Sequence, residues 1–185
     1  IPYVFFFFLI NKSARNLRLL PTAFNYFPYF CQIMKFTTDS TMNCNTEILQ
    51  FLDELSRNNN RQWFNANKER YDYLRKALLH NIQQLIEQMN AYDPSLQGLD
   101  ARDCVYRIYR DIRFSPNKLP YKTHFGAVIG RGGRKCLLSS YYIHLEPGNK
   151  SGIYGGIWCP EPNVLKALRH AIDDNSDEFL EIINN

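Results

Sequence analysis

Cysteine is scarce and scattered in this chain. Cys31, Cys44, Cys104, Cys136 and Cys159 are five in 185 residues, and no two form a C-x-x-C pair. An odd, dispersed set argues against a disulfide framework or a structural zinc site and suits a reducing, cytoplasmic compartment. The apolar run Val4 to Ile10 is far shorter than the roughly 20 residues that span a bilayer, so no membrane partner is expected. G-K-[ST], G-x-G-x-x-G, G-x-S-x-G and H-E-x-x-H are all missing. Their absence removes the phosphate-cradling loop, the dinucleotide fingerprint, the nucleophile elbow and the helical zinc motif. No internal repeat or low-complexity segment follows Met34.

What is there is an ordinary globular composition. Hydrophobic residues make up 45% and charged residues 22%, which excludes disorder as the main state. The length suits one domain with a real core. The net charge of +4 is unevenly spread. Residues 1–33 carry +3, 34–101 carry −2, 102–135 carry +7 and 136–185 carry −4. One basic segment between acidic ones is a local anion-attracting field in a nearly neutral domain.

Residues 1–33 hold 10 of the 27 aromatics, and the chain opens on Ile1. They lack a basic lead-in, a cleavage site, and the apolar stripe with a basic opposite face of a surface anchor. They read as a non-native upstream or disordered segment, with the protein expected to start at Met34 or Met42.

From there the pattern is helical. Ile48, Phe51, Leu52 and Leu55 predict a helix over 46–57, and Asn58-Asn59-Asn60 ends it. Phe64, Tyr71, Leu74, Leu78, Ile82, Leu85 and Met89 predict a second from Arg61 to Asn90, closed by Asp93-Pro94. The period then becomes two. Strands are expected over Cys104–Tyr109, His124–Gly130, Ser139–Glu146 and Ile153–Cys159. Gly126, Gly130, Gly132 and Gly133 read as shaping a hairpin. After Pro160 and Pro162 a helix follows with Val164, Leu165, Leu168 and Ile172 on one face, then a further helix over 177–183. The fold class is therefore α+β: N-terminal helices, a central mainly antiparallel sheet, C-terminal helices, in a single domain over 34–185.

The densest polar run lies between Arg107 and His124. If the strand reached Phe114, then Tyr106, Ile108, Ile112 and Phe114 would share one face, with Arg110 intruding. Arg107, Tyr109, Asp111 and Arg113 would share the other. Two arginines around one aspartate leave cationic charge over, and guanidinium groups grip carboxylate or phosphate through paired hydrogen bonds. Pro116 and Pro120 stiffen the following loop, which presents Lys118, Tyr121 and Lys122. Three readings stand: an internally neutralised staple, a site for a small anionic or phosphorylated ligand, and a nucleic-acid or protein interaction surface without catalysis. In the second, Arg107, Arg110, Arg113, Lys118 and Lys122 hold the anion and Asp111 orients the arginines. Tyr121 and His144 are the candidate proton donors, with Glu146 beside them. Tyr142, His144 and Glu146 alternate onto one strand face with His124 near, where His and Glu suit proton exchange or metal ligation. No metal or cofactor is assigned from spacing alone.

Several stretches together resemble a bacterial family named domain of unknown function 2461. They are Phe51-Leu52 with Leu55, the Asn58-Asn59 turn, Arg61-Gln-Trp63-Phe64 with Asn67-Lys68 and Tyr71, and the run Arg107 to Thr123. Tyr141 to Gly148, Gly155-Gly156, and Pro160-Glu161-Pro162 with Leu165 and Arg169 complete the set. The resemblance covers about 51–183. It implies a cytoplasmic α+β protein and brings no reaction with it. The family pattern has an aspartate before the motif lysine where this chain has Asn117, and its members continue further. The chain is accordingly expected to be a fragment, cut at its C-terminal end.

Overall fold

The computed structural model describes residues 38–91, 93–177 and 180, with side chains from residue 46 onward. The expectations for residues 1–33 and most of 177–183 lie outside the described residues.

Helix α1 spans Thr38–Arg57, earlier than the expected start. Ile48, Phe51, Leu52 and Leu55 turn inward together and are fully buried. Each such side chain contributes about 1.5–3 kcal/mol of apolar transfer, which fixes the helix's inner face. Asn60 then caps α2 (Arg61–Ala66), its side chain accepting from the Trp63 amide at 2.9 Å. The single helix expected up to Asn90 is broken at Asn67, and α3 spans Lys68–Asn90. Asn67 donates its side-chain amide to the Trp63 carbonyl at 2.9 Å, offering the backbone an alternative to an uninterrupted helix. Tyr71, Leu74, Leu78, Ile82, Leu85 and Met89 are buried along α3, as the spacing predicts.

The strand expected from Cys104 is a correction. Cys104 closes a one-turn helix, α4 (Ala101–Cys104), capped by the Asp100 carboxylate on the Arg102 amide at 2.7 Å. The chain then runs extended to Arg110 against 120–127, with two isolated bridges, Val105 to Ala127 and Tyr109 to Tyr121. The Tyr106 amide donates to the Gly126 carbonyl, the Lys122 amide to Ile108 and the Arg110 amide to Pro120. Pro120 has no amide to return, so the ladder stays incomplete. Beyond Arg110 the chain leaves the sheet and Phe114 is 94% exposed, so the alternation expected up to that residue does not hold.

The sheet proper is antiparallel, in the order β1 (Phe125–Ile129), β2 (Ser140–Leu145), β3 (Gly152–Gly156). β3 stops before the expected Cys159. Ala127, Ile143 and Ile153 align across the three strands on the face toward the helices. Helix α5 (Pro162–Asp173) follows and buries Leu168 and Ala171, while Val164 of its expected inner face is exposed. Helices flanking an antiparallel sheet match the expected α+β class. No helix among the described residues is long and apolar enough to cross a membrane.

Candidate functional site

Side chains alternate across a strand, so a sheet that buries one face must present the other. Here the second face carries the rows Gly126, His144, Gly152 and Val128, Tyr142, Tyr154. His124 sits at the entry to β1 and Glu146 just past β2. The glycines have a definite use. A Cβ on Gly126 would meet the Tyr142 hydroxyl at 2.6 Å, and one on Gly152 would meet the Tyr154 hydroxyl at 2.9 Å. Both phenols thus lie down over glycine backbone on either side of His144.

The result is a connected polar chain. Tyr142 Oη is 3.2 Å from His144 Nδ1, and His144 Nε2 is 2.8 Å from Glu146 Oε2. Lys150 Nζ approaches the other carboxylate oxygen, Oε1, at 3.5 Å. The His124 and His144 rings lie 4.5 Å apart between centroids. Burial pushes the Glu146 carboxyl up, but the His144 hydrogen bond and the Lys150 charge outweigh it and hold the group below the usual carboxylate range. Burial lowers His124, and the neighbouring His144 lowers it further against the pull of Glu146. Burial raises the Tyr142 phenol, with Tyr106, Tyr154 and Glu146 adding to it. A carboxylate, two imidazoles and a phenol in contact can relay a proton or ligate a cation.

Lys122 borders this cluster. Its Nζ lies over the Tyr106 ring at 5.1 Å and its charge reaches His124. Burial lowers its ammonium, and Arg107 nearby lowers it further. Neither Lys122 nor Arg107 has an ion pair among the described residues.

The rest of the arginine-rich run closes on itself. Arg113 grips Asp111 with Nε at 3.0 Å and Nη2 at 2.7 Å, and its own amide donates to the same carboxylate. That pairing holds the Asp111 carboxyl below its usual range. Arg110 donates to the Leu119 carbonyl and to Ser115 Oγ, and Lys118 to the Ile112 carbonyl at 3.0 Å. Asn117 accepts from the Leu119 amide through its side chain, a turn-forming contact. Tyr121 is buried, its ring stacked on Phe64 at 4.0 Å between centroids, away from the polar face.

The structure thus brings together Lys122, His124, His144 and Glu146, places Arg107 within reach of both Lys122 and Asp111, and sets Arg110, Asp111, Arg113 and Lys118 in the loop beyond. Sequence reasoning left Tyr106, Tyr154, Gly126 and Gly152 out of the site, because strand register sets the two glycines beside His144 and Tyr154 beside Tyr142, and only chain pairing brings Tyr106 to Lys122.

Residues 47–185 match the model of a protein family described as "Conserved hypothetical protein (DUF2461)". No curated protein and no solved structure matches the chain.

Proposed function

The chain belongs to the conserved hypothetical protein family DUF2461, and from the chemistry of its sheet face we propose that it binds a small anionic or phosphorylated ligand there. The observation that carries this reading is Lys122: a half-buried ammonium with no carboxylate partner among the described residues, in the field of Arg107. An ammonium partly removed from water, without a carboxylate partner and beside a second cation, is electrostatically expensive, and an anion offsets that cost. Arg107 supplies the bidentate geometry that suits a phosphate or carboxylate. His144 and Glu146 stand beside the anion's position as the proton-exchanging pair. Arg110, Arg113 and Lys118 contribute a rim of positive field, since their donors are already engaged within the loop.

A thermal-shift screen of inorganic phosphate, nucleotides and dicarboxylates tests it. A ligand at 100 times its Kd stabilises by about 2.7 kcal/mol, a shift of several degrees in Tm. Lys122→Gln and Arg107→Ala are each expected to abolish the shift while the variant still melts cooperatively. Arg113→Ala should only weaken it. Shifts unchanged in Lys122→Gln, or none with any of these anions, would overturn the reading.

A further inference from the structure

We infer that His124, His144 and Glu146 together bind one divalent transition-metal ion on the outer face of the sheet. The argument begins with hydrogen positions. If Tyr142 Oη accepts the N–H of His144 Nδ1, the lone pair of Nε2 points at Glu146 Oε2, 2.8 Å away. Two lone pairs at that separation repel unless a positive centre lies between them, and that centre is either a proton or a metal ion. With bonds of about 2.0–2.2 Å, two ligand atoms on one ion are about 2.8–3.1 Å apart at a right angle and about 3.3–3.6 Å apart in a tetrahedron, so this pair needs at most a small opening to hold an ion.

The surroundings favour the ion over the proton. One ligand atom from each of His124, His144 and Glu146 lies within 4.8 Å of the other two. A proton shared by His144 and Glu146 makes no use of the imidazole of His124, whereas a metal takes it as a third ligand. That ring makes no hydrogen bond among the described residues and is only half-buried, so it is free to close the remaining gap. Imidazole-ligating sites commonly fix the other ring nitrogen with a hydrogen-bonding partner. Tyr142 is that partner here, and the bare backbone of Gly126 gives its hydroxyl the room to reach His144. Lys150 approaches Glu146 through Oε1, leaving Oε2 to the ion.

Two imidazoles and one carboxylate are borderline donors that suit zinc, iron, cobalt, nickel or manganese in the divalent state. Three protein ligands leave positions open for water or an exogenous anion. This inference reassigns His144 and Glu146 from proton exchange to metal ligation, but the anion reading rests on Lys122, which is not a ligand, so the two are tested separately.

Titration of the chelator-stripped intact chain with Co2+, in chloride buffer without phosphate or nucleotide, tests it. Visible d–d absorption is expected to saturate at one equivalent, and Zn2+ is expected to displace it. His144→Ala should remove the saturable signal. His124→Gln and Glu146→Gln, whose folding is checked by circular dichroism, should each weaken binding at least about 10-fold. Tyr142→Phe should weaken it by about 10-fold, the scale of an outer partner's contribution. No saturable binding, binding intact in His124→Gln and Glu146→Gln, or a near-ultraviolet thiolate-to-cobalt band placing the ion on a cysteine would each overturn the inference. Phosphate-induced thermal shifts that persist with chelator present and vanish in Lys122→Gln would sustain the anion reading regardless of this result.

Discussion

At the scale of single residues, burial decides which reactive groups are available. Cys104 is fully buried at the end of α4, and burial, aided by Asp103, pushes its thiol up to about 12. The thiolate is the nucleophile, so this cysteine is inert near neutral pH on both counts. Cys159 is exposed, and Cys136 is intermediate with its sulfur near the Leu138 carbonyl. Iodoacetamide labelling of the native protein, read by peptide mass spectrometry, should modify Cys159 first and Cys136 more slowly. It should leave Cys104 unmodified until denaturant is added. Native labelling of Cys104 at the rate of Cys159 would contradict its placement.

At the scale of elements, the turn between α1 and α2 has a second task. Asn59 donates its side-chain amide to the Tyr121 carbonyl at 3.0 Å and accepts from the Tyr121 amide at 3.1 Å. One side chain thus satisfies both backbone groups of Tyr121, as a neighbouring strand would. The stack of Tyr121 on Phe64 completes the join between α2 and the segment that carries Lys122 and His124. Asn59→Ala leaves two part-buried backbone groups unpaired and is expected to destabilise the protein by about 1–3 kcal/mol. Chemical denaturation checks this. Asn58→Ala, which removes one exposed bond to the Glu54 carbonyl, should cost much less. The link from β1 to β2 is tied similarly, with Arg134 donating to the carbonyls of Asp103 and Val105. Gly133 there has φ of 61°, and a Cβ on it would meet the Asp103 carbonyl oxygen at 2.5 Å, so glycine is required.

For the whole molecule, a pH-sensitive tie joins α1 to α3. Arg70 reaches Glu54 through Nη1 at 2.6 Å and Nη2 at 3.3 Å, with the guanidinium also over the Phe51 ring. The Arg70 hydrogen bond is the main cause that lowers the Glu54 carboxyl, and burial opposes it. A carboxyl depressed in the folded state binds fewer protons than in the unfolded chain. Its stabilisation is therefore present above the unfolded value, about 4.3, and is lost as pH falls through the folded value. The pair is partly exposed, so its contribution is at most about 1 kcal/mol after solvent screening. Melting curves from pH 7 down to pH 3 should show the native chain losing its advantage over Glu54→Gln below about pH 4.3. An advantage that grew on acidification would contradict the linkage.

Sequence alone determined the helix faces and the order of elements. Ile48 to Leu55, and Tyr71 to Met89, bury the side chains their spacing selects, because periodicity is set by neighbours within a turn or two. It also placed Tyr142, His144 and Glu146 on one face, since alternation is equally local. It misread Cys104 and the extent of the following strand, where a side-chain cap and a proline override strand-like composition. Tertiary structure decided the rest. Register set glycine on both sides of His144, chain pairing brought His124 and Lys122 beside it, and loop closure turned Arg110, Arg113 and Lys118 onto their own segment. Those outcomes depend on contacts between residues far apart in the chain, whose energies no local pattern records.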